Sequence, residues 1–124
     1  MVIKTGYFAQ HKRYNKAGYT LIGVVRFVPK WFTGLNLAEL SPSIDLLIDY
    51  KQGVVSWNEF ESSYFKYLND NKDKIESSLK TIKDSNTDKV VLCCFEKSNE
   101  PCHRHILASF LNQNYGLDIS EFEV

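Results

Sequence analysis

An α/β domain, with a mainly parallel sheet flanked by helices in a three-layer arrangement, is what this sequence predicts. Two observations predict it. Short, apolar, β-branched runs at residues 2–7, 20–27 and 89–96 have the length and make-up of buried strands. Helix-like stretches, with apolar residues every three or four positions, occupy much of the remaining sequence. Strands divided by helices imply crossover connections, and crossovers are what parallel neighbours require. With 124 residues, one domain spanning 1–124 can bury a core without metal or disulfide support.

Taken in order, the first strand ends at Gly6-Tyr7, and a polar connection from His11 to Gly18 leads to the second. Pro29 then breaks regular structure, and residues 30–43, with Trp31, Phe32, Gly34 and Pro42, form a loop rich in aromatic and turn residues. Ile44, Leu47 and Ile48 fall on one side of a short helix over 43–51, which Gly53 ends. Ser56 and Glu59 have the spacing of a capping box, and Trp57, Phe60, Tyr64, Tyr67 and Leu68 follow at helical intervals. Another helix spans 71–85 through Ile75, Leu79 and Ile82. After the third strand, residues 102–115 form a helix capped by Gly116, and 118–124 form a short edge strand or a docked tail.

Fifteen basic and fifteen acidic residues cancel, so no global field recruits polyanions, and nucleic acid is a possible partner that net charge does not favour. No apolar run approaches the ~20 residues needed to span a bilayer, and Lys4, Lys12 and Arg13 occupy the stretch where a signal peptide needs an apolar centre. Three cysteines, two of them adjacent in a strand, do not make a disulfide framework. A cytoplasmic location is expected. Oligomeric state is not legible.

The junction at residues 94–104 concentrates the chemistry. A helix opening with Cys102, His103 and Arg104 aims free N–H groups, an imidazole and a guanidinium at one volume, and such a volume attracts an anion. Lysine outnumbers arginine twelve to three, which singles out Arg13, Arg26 and Arg104, each close to the end of a strand or just after one. The planar fork of arginine suits carboxylate or phosphate. Ligands of open α/β sheets bind beyond the carboxyl ends of the strands. That rule gathers Tyr7, Arg13, Arg26, Cys94, Glu96, Cys102, His103 and Arg104 at one rim.

The spacing Cys94-x-Glu96-x5-Cys102-His103-Arg104, with Gly6-Tyr7 and Val25-Arg26 upstream, resembles the signature of the domain of unknown function 488 family. The resemblance implies an α/β protein of prokaryotic or phage origin. Many members carry an Asp two residues before the arginine matching Arg26; here that residue is Val24, so no acid–base role passes to it.

Four chemical readings follow. The first is a binding site for an anionic small molecule, phosphorylated or nucleotide-like, with Arg26, Arg104, Arg13, Tyr7 and Cys94 as contacts and Trp31 as a stacking wall; the bland reading of Trp31 is a lid on the core. The second is a hydrolase or transferase in which Cys102 is a nucleophile favoured by nearby positive charge, with His103 and Glu96 as its acid–base partners. Against it stand a buried packing role for Cys102 and a salt bridge from Glu96 to Arg26 or Arg104. The third is a metal site from Cys94, Cys102, His103 and His105. Its spacing lacks a Cys-x-x-Cys pair, so no metal and no cofactor is assigned. The fourth is a nucleic-acid module using His11, Lys12, Arg13 and Lys16, which a solvated loop explains equally well. Whether turnover follows binding is left open.

Overall fold

Four parallel strands in the order β2-β3-β1-β4 form the centre of the computed structural model, which describes residues 1–96 and 102–123. The elements run β1 (Val2–Tyr7), α1 (His11–Lys16), β2 (Thr20–Gly23), α2 (Ile44–Lys51), α3 (Trp57–Asp70), α4 (Lys72–Lys83), β3 (Lys89–Cys94), α5 (His103–Tyr115) and β4 (Ser120–Glu121). The α/β class expected from the pattern is the class observed.

Side chains alternate across β3. Val90 and Leu92 join the larger core with α3, α4 and α5, whereas Val91 and Cys93 join a smaller one with Tyr14 of α1 and Phe8. Both faces of the sheet are thus covered, as a parallel sheet demands. The smaller core is close-packed at Gly6, where an added Cβ would stand 2.4 Å from the Tyr14 hydroxyl oxygen. That absence of a side chain lets Tyr14 Oη accept a hydrogen bond from the Tyr7 amide at 3.1 Å.

Several local signals perform as the sequence suggests. Ser56 and Glu59 form the reciprocal capping box that starts α3. Gly116 ends α5 in the left-handed region, φ 65°. The tail docks as the edge strand β4 beside β1, with Val124 outside the described residues.

Two expectations change. The connection at 11–18 contains the short helix α1. The second strand stops at Gly23 because Asn36 captures the next backbone: its Oδ1 accepts from the Val25 amide at 3.2 Å and its Nδ2 donates to the Val25 carbonyl at 2.8 Å. Gly23 meanwhile pairs with the chain at Leu35 and Leu37. Val24 still donates its amide to the Cys93 carbonyl of β3 at 3.1 Å, and residues 25–27 then leave the sheet for the rim.

Candidate functional site

Register places the ends of three strands together, since Tyr7 lies opposite Cys94 and Gly23 opposite Cys93. Beyond this edge a cleft of about 410 Å³ opens between the loop after β2, helix α2 and the start of α5, lined by Arg26, Phe27, Lys30, Lys51, Phe95 and His103. A neighbouring hollow of about 240 Å³ is lined by Tyr50, Trp57, Phe60 and Cys102, and it shares Leu47, Lys51, Glu96 and His103 with the first. The two hollows adjoin across these shared walls, with Glu96 and His103 facing both. Among the described residues their charged lining is three cations and one carboxylate: Arg26, Lys30 and Lys51 against Glu96.

His103 is the first residue of α5 and is nearly buried. Its Nε2 lies 2.7 Å from the Val24 carbonyl oxygen. A carbonyl only accepts, so Nε2 carries the proton and Nδ1 is the nitrogen with the lone pair. Burial pushes the imidazole down to about 4, the nearby positive charges of Arg104 and Arg26 add to this, and the Val24 hydrogen bond opposes it. At neutral pH His103 is an uncharged base.

Arg26 is half-buried. Its Nε donates to the Pro42 carbonyl at 2.9 Å and its Nη2 to the Ser41 carbonyl at 3.1 Å, which pins the segment leading into α2. Among the described residues Nη1 has no partner, so Arg26 holds the cleft wall with one edge and keeps donors for a ligand on the other.

Arg104 is otherwise employed. It is 0 % exposed, and its Nε and Nη2 form a fork on Glu121 Oε1 and Oε2 at 3.0 and 2.8 Å. Its Nη1 donates to the Glu96 carbonyl at 2.6 Å and to Cys94 Sγ at 2.9 Å. The expected anion clamp is thus a buried brace tying α5 to β3 and β4. A cation in the first turn opposes the helix dipole, and the Glu121 carboxylate compensates it. Tyr7, also expected as a ligand contact, is buried with its ring 5.6 Å from the Arg104 guanidinium carbon. The alternative of a salt bridge from Glu96 to Arg104 is replaced by this pairing with Glu121.

Cys94 and Cys102 are joined as a disulfide. A count of three cysteines, which makes no disulfide framework, does not lead one to expect this single bridge, and the bridge removes the free thiolate proposed for Cys102 in this state. The strand end and helix start bring the two residues together although eight positions separate them. Glu96 Oε2 lies 3.2 Å from Cys102 Sγ. Cys93 faces the smaller core as a free thiol, pushed up to about 12 by burial. The polar segment 97–101 lies outside the described residues.

Two further expectations move away from the cleft. Arg13 is exposed on α1 and lines neither hollow. Trp31 stacks on His11 at 4.2 Å between ring centres and lines a separate hollow of about 360 Å³ beside Thr20 and Leu21, at the amino end of β2. Sequence reasoning missed Glu121, Lys51 and the exposed rings of Phe27 and Phe95. An acid within an alternating apolar tail was the available signal for Glu121; Lys51 carried none, being one of twelve lysines.

Fold and cleft together define a small α/β domain with a cationic, aromatic-walled depression at the carboxyl ends of a parallel sheet. The chain matches the family described as the active DUF488-N3 subclade over residues 7–115, and it belongs to that family. No curated protein and no solved structure shows a significant match.

Proposed function

We propose that the depression binds an anionic small molecule, phosphorylated or nucleotide-like. The carrying observation is its lining: among the described residues three cations to one carboxylate, with Phe27 at 72 % and Phe95 at 52 % exposure on the same walls. Exposed rings beside cations suit a planar base joined to a phosphate, because the ring takes the stacking and the cations take the charge. Arg26 Nη1, without a partner among the described residues, and the first N–H groups of α5, which the Cys102 side chain does not cap, add donors. A cytoplasmic setting belongs to the same proposal; among the described residues no helix is long and apolar enough to cross a membrane.

Titration calorimetry with nucleoside phosphates and inorganic phosphate tests the reading. Wild type is expected to bind at least one nucleotide, and the double variant Arg26→Ala/Lys51→Ala to lose about tenfold or more, which is ~1.4 kcal/mol. Equal affinities in the two proteins for every ligand bound, or no binding by wild type, defeats it.

One observation favours a second reading, hydrolysis or group transfer at the same place: Glu96 Oε2, Cys102 Sγ and a neutral His103 share one hollow. Reduction of the Cys94–Cys102 bridge would release the thiol that this chemistry needs. Turnover that depends on reductant and is lost in Cys102→Ser supports it; a wild-type rate in that variant removes it. The nucleic-acid alternative rests on His11, Lys12, Arg13 and Lys16 of α1, the last three exposed, and predicts affinity falling steeply with salt.

A further inference from the structure

We propose that Cys94, Cys102 and His103, once the bridge is reduced, form a binding site for a soft-to-borderline divalent cation, with zinc the best fit. Both sulfurs and one ring nitrogen of His103 lie within 4.8 Å of one another, and all three residues are buried. Two thiolates and an imidazole are the ligand types zinc selects, and tetrahedral zinc with bonds of about 2.3 Å to sulfur sets two cysteine sulfurs ~3.8 Å apart. The backbone suits that separation. The Cα atoms of Cys94 and Cys102 stand 7.5 Å apart, wider than the roughly 4.4–6.8 Å that disulfides usually span.

The surroundings are those of a supported metal site. His103 is fixed by its Nε2 hydrogen bond to the Val24 carbonyl, which leaves Nδ1 as the ligating nitrogen; a ligating histidine characteristically donates its other N–H in this way. Arg104 Nη1 donates to Cys94 Sγ at 2.9 Å, a contact that favours thiolate. Glu96 Oε2, 3.2 Å from Cys102 Sγ, is in reach of the fourth position. Two thiolates and the Glu96 carboxylate offset the ion and the Arg104 guanidinium, while Glu121 pairs with Arg104 from the other side.

The chemistry balances in two steps. A small-molecule or protein thiol reduces the bridge, so that the S–S bond breaks, each cysteine sulfur gains a proton, and two reductant thiols become one disulfide. Zinc then binds both sulfurs and releases their two protons to solvent. In a reducing compartment the first step is the ordinary fate of such a bridge.

The site does not depend on the nucleotide reading, because its test needs no organic ligand. Reduced, chelator-free protein is titrated with cobalt(II) and then zinc. The expected result is one equivalent of cobalt with a sulfur-to-metal charge-transfer band of two-thiolate intensity, displaced by zinc. Cys102→Ser should halve that band and weaken zinc binding by about a hundredfold or more, since loss of a ligand costs at least what loss of its supporting partner does, whereas Cys93→Ser, whose sulfur is not one of the three clustered ligand atoms, should match wild type. Should Cys102→Ser fail to fold by circular dichroism, alkylation of wild type decides: zinc should protect Cys94 and Cys102 when the protein is reduced. No stoichiometric binding by reduced wild type, a band equally lost in Cys93→Ser, or alkylation unaffected by zinc overturns the site.

Discussion

Two arginines at the same rim have opposite fates. Arg104 is sealed under β4, with its fork on the Glu121 carboxylate and its remaining contacts on Cys94 and the Glu96 carbonyl. Arg26 sits in the cleft wall, and among the described residues it is bonded to two backbone carbonyls and open on one edge. The lesson is one of solvation. A buried guanidinium must find a full charge to compensate it, and is then spent on structure, whereas a half-buried one can settle for carbonyl dipoles and keep donors in reserve.

The sharpest way to break this contrast is to strip the counter-charge. Glu121→Ala leaves Arg104 buried and uncompensated, and urea denaturation should show a loss of about 3–5 kcal/mol. A loss below about 1 kcal/mol would mean that water reaches the guanidinium and that the sealed region is not sealed.

A pH series probes the same closed side. Tyr14 is 0 % exposed, and burial raises its hydroxyl from 10.0 to about 12, partly offset by the hydrogen bond from the Tyr7 amide. The folded state therefore keeps a proton that the unfolded chain gives up. This contribution is complete below pH ~10 and is lost as pH rises towards ~12, on the order of 2–3 kcal/mol. Buried Tyr64, held well above its usual value, acts in the same direction, so Tyr14→Phe should flatten the alkaline decline in part. An unchanged slope in that variant would place Tyr14 in contact with solvent.

Arg26→Ala should have the smallest effect on stability, about 1–2 kcal/mol, because water can rehydrate the carbonyls of Ser41 and Pro42 at the cleft edge. Its signature is a larger effect on anion affinity than on folding, the reverse of Glu121→Ala. If both variants lost stability equally, the distinction between brace and cleft wall would fall.

How much of this was legible in the sequence depends on whether the cause is local. The capping box at Ser56 and Glu59, the left-handed Gly116 and the strand character of 89–94 arise within a few residues, and periodicity exposes them. The convergence of Arg26, Glu96, Cys102 and His103 was also readable, since a parallel sheet gathers its carboxyl ends on one edge. The early end of β2 was not, because it comes from Asn36, a loop residue eleven positions beyond Val25. The reassignment of Arg104 was hidden for the same reason: its partner lies seventeen residues away on an edge strand only two residues long.

The amino-acid order by itself determined an α/β domain, the placement of its chemistry at the strand-to-helix junction, and the Cys-Glu-Cys-His-Arg residue set. Only the tertiary structure decided which of these groups face the cleft, which brace the core, and that both sulfurs and the imidazole lie within 4.8 Å of one another. The reason is physical. Side-chain type and spacing set local conformation and burial tendency, but the availability of a charge or a thiol depends on its partner, and here the partners come from distant parts of the chain.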